Sequence, residues 1–238
     1  MVANRGLSVV IPCFNEETRI VGTLQRLIAF LADRAEPWEI VPVDDGSRDG
    51  TSAAIRGRFA RDGRVRPLRY ESNHGKGWAM REGFRAAAGD VVLFTDADLA
   101  TPIEELPRFL ARLGDGFDLV VGSRVAQGAR IVVPQPWRRR VSGAVFRRLV
   151  RLLGLSSVRD TQCGFKLMRR APLAPLLERV TMLGFSFDVE LLFLAERAGL
   201  RVAELPVEWH DVAGSKIRLW PDAAQIAWDV LRLRWRVG

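Results

Sequence analysis

The sequence predicts an α/β protein, a Rossmann-like and mostly parallel central sheet flanked by helices. Three observations predict it. Short apolar runs alternate with helical patterns through the first half of the chain, separated by short turns. Three of those runs end directly in acidic motifs, at the strand ends where sheets of this kind bind ligands. The chain, at 238 residues with 48% hydrophobic and 27% charged residues, is long and apolar enough to bury a substantial core.

In order, strands are expected at Leu7–Cys13, Glu39–Val43, Val65–Tyr70 and Val91–Thr95. Helices are expected between them at about Glu17–Asp33, Thr51–Arg61 and Lys76–Ala88. In the first helix Ile20, Leu24, Leu27, Ile28 and Leu31 recur at helical spacing. The second half is less regular. A helix at Ile103–Leu113, a strand at Leu119–Ser123 and a basic helix near Trp137–Leu153 come first. A strand at Phe165–Arg169, a helix around Phe187–Ala198, a strand at Val202–Trp209 and a terminal helix over Pro221–Arg236 follow. With no repeat and no low-complexity linker, one compact domain over 1–238 is expected, with halves of about 1–118 and 119–238.

Composition excludes several classes. No apolar run reaches the length of a membrane span, and the N-terminus enters the first strand without a cleavable signal layout. Two distant cysteines, Cys13 and Cys163, make a disulfide framework unexpected and a reducing cytosol the simpler setting. Two cysteines and two histidines at these spacings form no zinc site. The net charge of +8 is concentrated: Leu119–Arg159 holds nine arginines and no acid, leaving the rest nearly neutral. Such a strip attracts phosphorylated lipid, anionic membrane or nucleic acid.

The chemistry-bearing residues cluster at strand ends. Asp96-Ala97-Asp98 follows the apolar run Val91–Thr95, and two carboxylates so placed suit a Mg2+ or Mn2+ ion and, through it, a diphosphate. Asp98 is the expected direct ligand, with Asp96 on the ribose or a metal-bound water. In Pro12-Cys13-Phe14-Asn15-Glu16 proline is expected to stop the first strand where the backbone turns toward a ligand. Asp44 and Asp45 close the second strand, where a carboxylate can accept a nucleobase N3–H or reach a ribose; helix capping by Ser47 or Asp49 is the alternative. Asn73-His74-Gly75-Lys76-Gly77 suits contact with an anion or, alternatively, a tight turn with a solvated lysine. In Asp160-Thr161-Gln162-Cys163-Gly164-Phe165-Lys166, Asp160 is placed near a reacting sugar and Lys166 near a phosphate; the alternative is a surface pair of Asp160 with Arg159 or Arg124. Phe187-Asp188-Val189-Glu190 offers two acids for the metal's surroundings, an arginine or a cap.

The basic helix gathers Val141, Val145, Leu149, Leu152 and Leu153 on one face and Arg140, Arg147 and Arg151 on another, with Arg148 at the edge. It suits either a membrane interface or packing on the sheet. Trp137, Trp220, Trp228 and Trp235 are either interfacial anchors or core.

With these motifs in place, the chain resembles the family-two, GT-A-fold glycosyltransferases, and within them the dolichyl-phosphate glucosyltransferases. The general match is Val10–Glu17, Asp44–Thr51 and Asp96–Asp98. The narrower match is Arg159–Leu167, Phe187–Leu192, Glu208-Trp209 and Gly214-Ser215-Lys216, and the resemblance runs from about Leu7 to Arg236. It implies inverting transfer of glucose from UDP-glucose to a polyprenyl phosphate, with a donor half followed by an acceptor half. It places nucleotide contacts on Pro12, Asn15, Glu16, Asp44 and Asp45, and metal on Asp98. Acceptor or sugar contacts fall on Arg124, Asp160, Gln162 and Lys166. Eukaryotic members carry an N-terminal membrane-spanning helix that this chain does not match, so either peripheral attachment at the cytoplasmic face or a more soluble acceptor is expected.

Three alternatives stand beside this one: a GDP-mannose donor; a saccharide hydroxyl acceptor, with Asp160 as the base; and a basic membrane- or nucleic-acid-binding module. The acidic strand ends argue against nucleic acid, because they repel a polyanion.

Overall fold

In β1 (Leu7–Cys13), Leu7, Val9, Ile11 and Cys13 face one hydrophobic cluster and Val10 the other, and every one of them is buried. A strand apolar on both faces belongs inside a helix-covered sheet, and β1 occupies that place. The computed structural model describes residues 6–212 and 228–235. Its central sheet has seven strands in the order β3-β2-β1-β4-β7-β5-β8. These are β2 (Trp38–Asp45), β3 (Leu68–Tyr70), β4 (Val91–Phe94), β5 (Leu119–Ser123), β7 (Lys166–Arg169) and β8 (Val202–Pro206), together with β1. All neighbours pair in parallel except β7, which runs antiparallel to both β4 and β5.

Helices α1 (Ile20–Leu31), α2 (Thr51–Phe59) and α4 (Leu106–Gly114) cover one face. The other is covered by α3 (Lys76–Ala86), α6 (Arg170–Leu177) and α7 (Phe187–Arg197). A third cluster joins α5 (Trp137–Leu152) and a helix at residues 228–235 to α7, through Val150, Val189, Phe193, Val230 and Leu233.

The expected parallel α/β order holds through the first half, with shifts at the edges. Pro12 does not stop β1: it lies within the strand, opposite Val43, and pairing runs on to Cys13 and Asp44. The strand expected from Val65 begins at Leu68, and Val65 makes only an isolated bridge to Ile40. Expected helix 103–113 divides into a 3-10 turn at Ile103–Glu105 and α4, with a proline in the first turn of α4.

Two elements escape sequence reading. In α6, Pro172 and Pro175 argue against a helix, yet Leu173, Leu176 and Leu177 bury one side of it against the sheet and outweigh the lost hydrogen bond. Strand β6 (Arg130–Val133) is exposed along its whole length and exists through pairing with β9 (Glu208–His210). The expected strand 202–209 is thus two strands, β8 in the main sheet and β9 in a separate two-stranded one. Trp220, Gly214-Ser215-Lys216 and the expected start of the terminal helix at Pro221 lie outside the described residues.

Candidate active site

Strands β1, β2, β4 and β5 all end at one edge of the sheet. Because β7 is antiparallel, it begins there: Lys166 pairs with both Phe94 and Val121. One edge therefore collects the ends of all six parallel strands and the loop that leads into β7. This is how Asp96, Arg124 and Asp160, far apart in sequence, come together, with Asp44 at the neighbouring end of β2.

On the β1–β2 side the loops are tied to one another. Asn15 adopts a left-handed backbone (φ 55°). Its N–H donates to Ser47 Oγ at 2.9 Å, and its Oδ1 accepts from the Arg48 N–H at 2.9 Å. The Glu16 N–H donates to Thr51 Oγ1 at 2.7 Å, and Glu16 pairs with Arg19 at 2.8 Å. Asp44 accepts from the Ser47 N–H through Oδ1, at 3.0 Å. Among the described residues its Oδ2 is buried without a hydrogen-bond partner, with the Arg69 guanidinium 3.8 Å away. A buried carboxylate oxygen with no donor is costly, and an imide N–H of a base supplies what is missing. Asp45 differs: its carboxylate accepts the N–H groups of His74 (3.0 Å) and Gly75 (2.8 Å) and so anchors the loop before α3.

That loop explains Gly75-Lys76-Gly77. Both glycines are required by packing: a Cβ at Gly75 would lie 2.6 Å from the Leu183 carbonyl oxygen, and one at Gly77 2.4 Å from Phe187 Cβ. Lys76 is not a solvated lysine. Only 21% of its side chain is exposed, and Nζ meets Asp96 Oδ1 at 2.6 Å. Burial works to depress the Lys76 pKa, but Asp96 and Asp188 outweigh it and hold the ammonium charged.

Burial alone would raise the Asp96 pKa; the charges of Lys76, Lys166 and Arg124 reverse this and hold its carboxyl below the usual range. The Asp98 carboxyl is pushed up instead, by burial and by the charge of Asp96. Two carboxylates that resist ionising together are a site in deficit of positive charge. Among the described residues no cluster of three or more acidic, histidine or cysteine side chains is arranged around a cation. A pair of carboxylates still fits Mg2+ or Mn2+, which complete their shells with water and substrate phosphate.

Across the edge, Asp160 is not a surface partner. It is 1% exposed, and Arg124 surrounds it: the backbone N–H (2.9 Å) and Nε (2.7 Å) donate to Oδ2, and Nη2 (2.7 Å) donates to Oδ1. Burial opposes its ionisation, but Arg124 overcomes this and holds the Asp160 carboxyl below its ordinary range. The Arg124 guanidinium also lies over Trp209, 5.7 Å from the ring centroid. Lys166 does not face outward to a phosphate. At 1% exposure it donates to the Cys163 carbonyl and meets Asp188 Oδ1 at 2.7 Å. Of the acids in the α7 motif, Asp188 thus reaches the site, whereas Glu190 accepts the backbone N–H groups of Thr181 and Met182.

A cleft of about 1620 Å3 runs along this edge, and Lys76, Asp96, Asp98, Arg124, Asp160 and Gln162 line it. Pro12, Asn15, Glu16, Asp44 and Asp45 do not line it; they gather at the neighbouring β1–β2 ends. The opposite wall is α5. This helix leaves Trp137 67% and Val145 64% exposed, so its apolar stripe is not packed on the sheet. Sequence reading offered Asp188 for the metal's surroundings, an arginine or a cap, but gave Phe185 and Trp209 no role in the cleft, because no motif spacing links them to Asp96.

A doubly covered sheet with a carboxylate pair at the end of a central strand is an architecture that nucleotide-sugar-dependent transferases share with other α/β enzymes. The sequence matches the family described as Glycosyl transferase family 2 over residues 8–177. The chain belongs to this family and is a glycosyltransferase of GT-A fold, which removes the non-enzyme alternative. It is 35% identical to a dolichyl-phosphate beta-glucosyltransferase of Saccharomyces cerevisiae, over 96% of this chain and 74% of that one. It is 34% identical to that of Drosophila melanogaster, over 98% and 76%. Among solved structures, glucosyl-3-phosphoglycerate synthase from Mycobacterium tuberculosis, in complex with Mn2+, UDP-glucose and phosphoglyceric acid, superposes with a TM-score of 0.72. That pair shares 26% identity, over 98% of this chain and 80% of the other.

Proposed function

We propose that the protein transfers glucose from UDP-glucose, with inversion, to a polyprenyl phosphate of dolichyl type at a membrane surface. The names of its relatives support this reading, and one observation in the structure carries it. Asp160, the base a saccharide hydroxyl would need, is buried and bound by three donors of Arg124. An acceptor that needs no base fits this site, and a phosphate monoester, with a second pKa of about 6, arrives already ionised.

In the proposed mechanism the donor half, about residues 1–118, holds the nucleotide. Asp44 Oδ2 accepts the uracil N3–H, and the Asn15–Glu16 loop, tied to Ser47 and Thr51, shapes the pocket. Asp98 and Asp96 would hold a divalent cation, which when bound neutralises the departing diphosphate. Lys76 keeps Asp96 ionised and in place. In the acceptor half, about residues 119–238, Asp160 fixes Arg124 at the reacting edge, Lys166 with Asp188 props the Gln162–Gly164 loop, and Gln162 faces the sugar. A phosphate oxygen attacks the anomeric carbon opposite the UDP, the bond from that carbon to the diphosphate oxygen breaks, and no proton is moved. Catalysis then consists of positioning and charge stabilisation.

Among the described residues no helix is long and apolar enough to cross a membrane. Peripheral attachment at the cytoplasmic face uses the exposed side chains of Trp137, Val141, Val145 and Leu152 with the α5 arginines, and the exposed Trp228 and Trp235.

The test offers UDP-glucose, GDP-mannose and UDP-N-acetylglucosamine in parallel to a short polyprenyl phosphate, with and without EDTA. A glucose-lipid product lost on chelation supports the proposal. Mannose transfer would replace the sugar, and transfer only to a saccharide would remove the acceptor.

A further inference from the structure

Among the described residues, three cations at the reacting edge are already paired. Lys76 is bound to Asp96, Lys166 to Asp188 and Arg124 to Asp160. The α5 wall of the same cleft carries Arg138, Arg139, Arg140 and Arg147, and of these it is Arg147 that interacts with the charges of Asp160 and Arg124. It is half-buried, and among the described residues its guanidinium has no hydrogen bond or ion pair.

Its position is built rather than incidental. Side chains on a helix lean toward its N-terminus, and one turn back stands Gly143. Arg147 Nη1 lies only 3.2 Å from where a Cβ on Gly143 would be, so the guanidinium rests over a residue with no side chain. The charges acting on it are those of the reacting edge. Burial makes its ionisation less favourable, Asp160 works the other way, and Arg124 repels it. A guanidinium carries five N–H donors and no acceptor. Partly desolvated and unpaired, it stands in deficit of an anion, and the open space before it is the cleft.

We infer that Arg147 is the ligand for the acceptor's phosphate, its guanidinium fork taking the oxygens that do not attack. The inference rests on the polyprenyl-phosphate acceptor proposed above. Arg124 is rigidly held by Asp160 and supplies fixed positive charge, whereas Arg147 supplies the free bidentate donors that select a phosphate. Lys166, which the family resemblance makes an acceptor contact, is buried beneath the loop and does not compete for that role.

The test is steady-state transfer from UDP-glucose to geranyl phosphate by the whole chain, comparing wild type with Arg147→Ala and Arg147→Lys. Removing the fork raises the KM for geranyl phosphate roughly 10- to 100-fold, the scale of one or two charge-assisted hydrogen bonds. The KM for UDP-glucose stays within about twofold, because uniform binding of the other substrate is untouched. Inorganic phosphate, added as a competitor of geranyl phosphate, loses its inhibition in Arg147→Ala; a residue that merely supported the helix would not produce that change. Lysine keeps the charge without the fork and falls between wild type and alanine, and it carries the test should the alanine variant fold poorly. A wild-type acceptor KM in both variants overturns the assignment while leaving the function in place. If wild type binds UDP-glucose but is inert toward geranyl phosphate, the proposed acceptor falls, and the role of Arg147 with it.

Discussion

Gly164 lies against Asp96 so closely that a Cβ on it would stand 2.0 Å from the Asp96 carboxylate oxygen Oδ2. The loop entering β7 and the acidic pair ending β4 are therefore fitted to each other, and Asp96 is squeezed between Gly164 and the Lys76 ammonium.

Gly164→Ala displaces the Asp96 carboxylate without touching the core. Transfer falls by about 10²-fold, the scale of an ångström-sized misplacement at a reacting centre, while the melting temperature stays within a few degrees of wild type. Unchanged turnover would show that the placement of Asp96 is immaterial.

Asp98→Ala abolishes transfer and leaves the fold intact, since Asp98 is partly exposed and, among the described residues, its carboxylate accepts only the Ala100 N–H at 3.0 Å. Chelation of wild type reproduces the loss, and added Mn2+ or Mg2+ restores wild type but not the variant. An Asp98→Ala enzyme fully active in EDTA would falsify the metal assignment.

Asp44→Ala removes the buried, undonated oxygen proposed for the base. UDP-glucose binding, followed by calorimetry, weakens roughly 10-fold or more, the scale of one hydrogen bond to a charged group, with the acceptor KM little changed. An unaltered donor affinity would send the base elsewhere.

Asp160 carries a pH dependence whose sign is set by its partner. Its folded pKa is depressed, so its stabilisation is full above the unfolded carboxyl value of about 3.9 and is lost as pH falls below it toward the folded value. Urea unfolding of wild type then weakens as the solution is acidified below that value. Asp160→Asn loses this share of the pH dependence and is less stable at neutral pH, on the order of 3 kcal/mol for a broken buried pair. Identical pH slopes for the two proteins would refute the assignment.

Val141→Ser with Val145→Ser changes stability by no more than about 0.5 kcal/mol, because both side chains are exposed. Sedimentation with anionic vesicles falls in this double variant. Equal sedimentation of both proteins would take α5 off the membrane.

The strands and helices of the first half were legible because each is buried on its own terms: β1 and β4 are apolar runs, and α1 repeats its leucines on one face. The acidic cluster at the end of β4 was legible for the same reason, since a buried strand must release its chain into polar surroundings. What was not legible depended on partners distant in sequence. Strand β6 has no pattern until β9 pairs with it, and the prolines of α6 hid a helix that burial sustains.

Local patterning alone thus determined the α/β class, the family and the edge at which its carboxylates gather, because burial periodicity and strand-end polarity are written in neighbouring residues. Only the tertiary structure decided which charges remain free. Lys166 and Asp188, Arg124 and Asp160, Lys76 and Asp96 neutralise one another across the sheet edge, and the half-buried Arg147 is left open to the cleft. The pairing of charges depends on distances through space, and the antiparallel entry of β7 sets those distances.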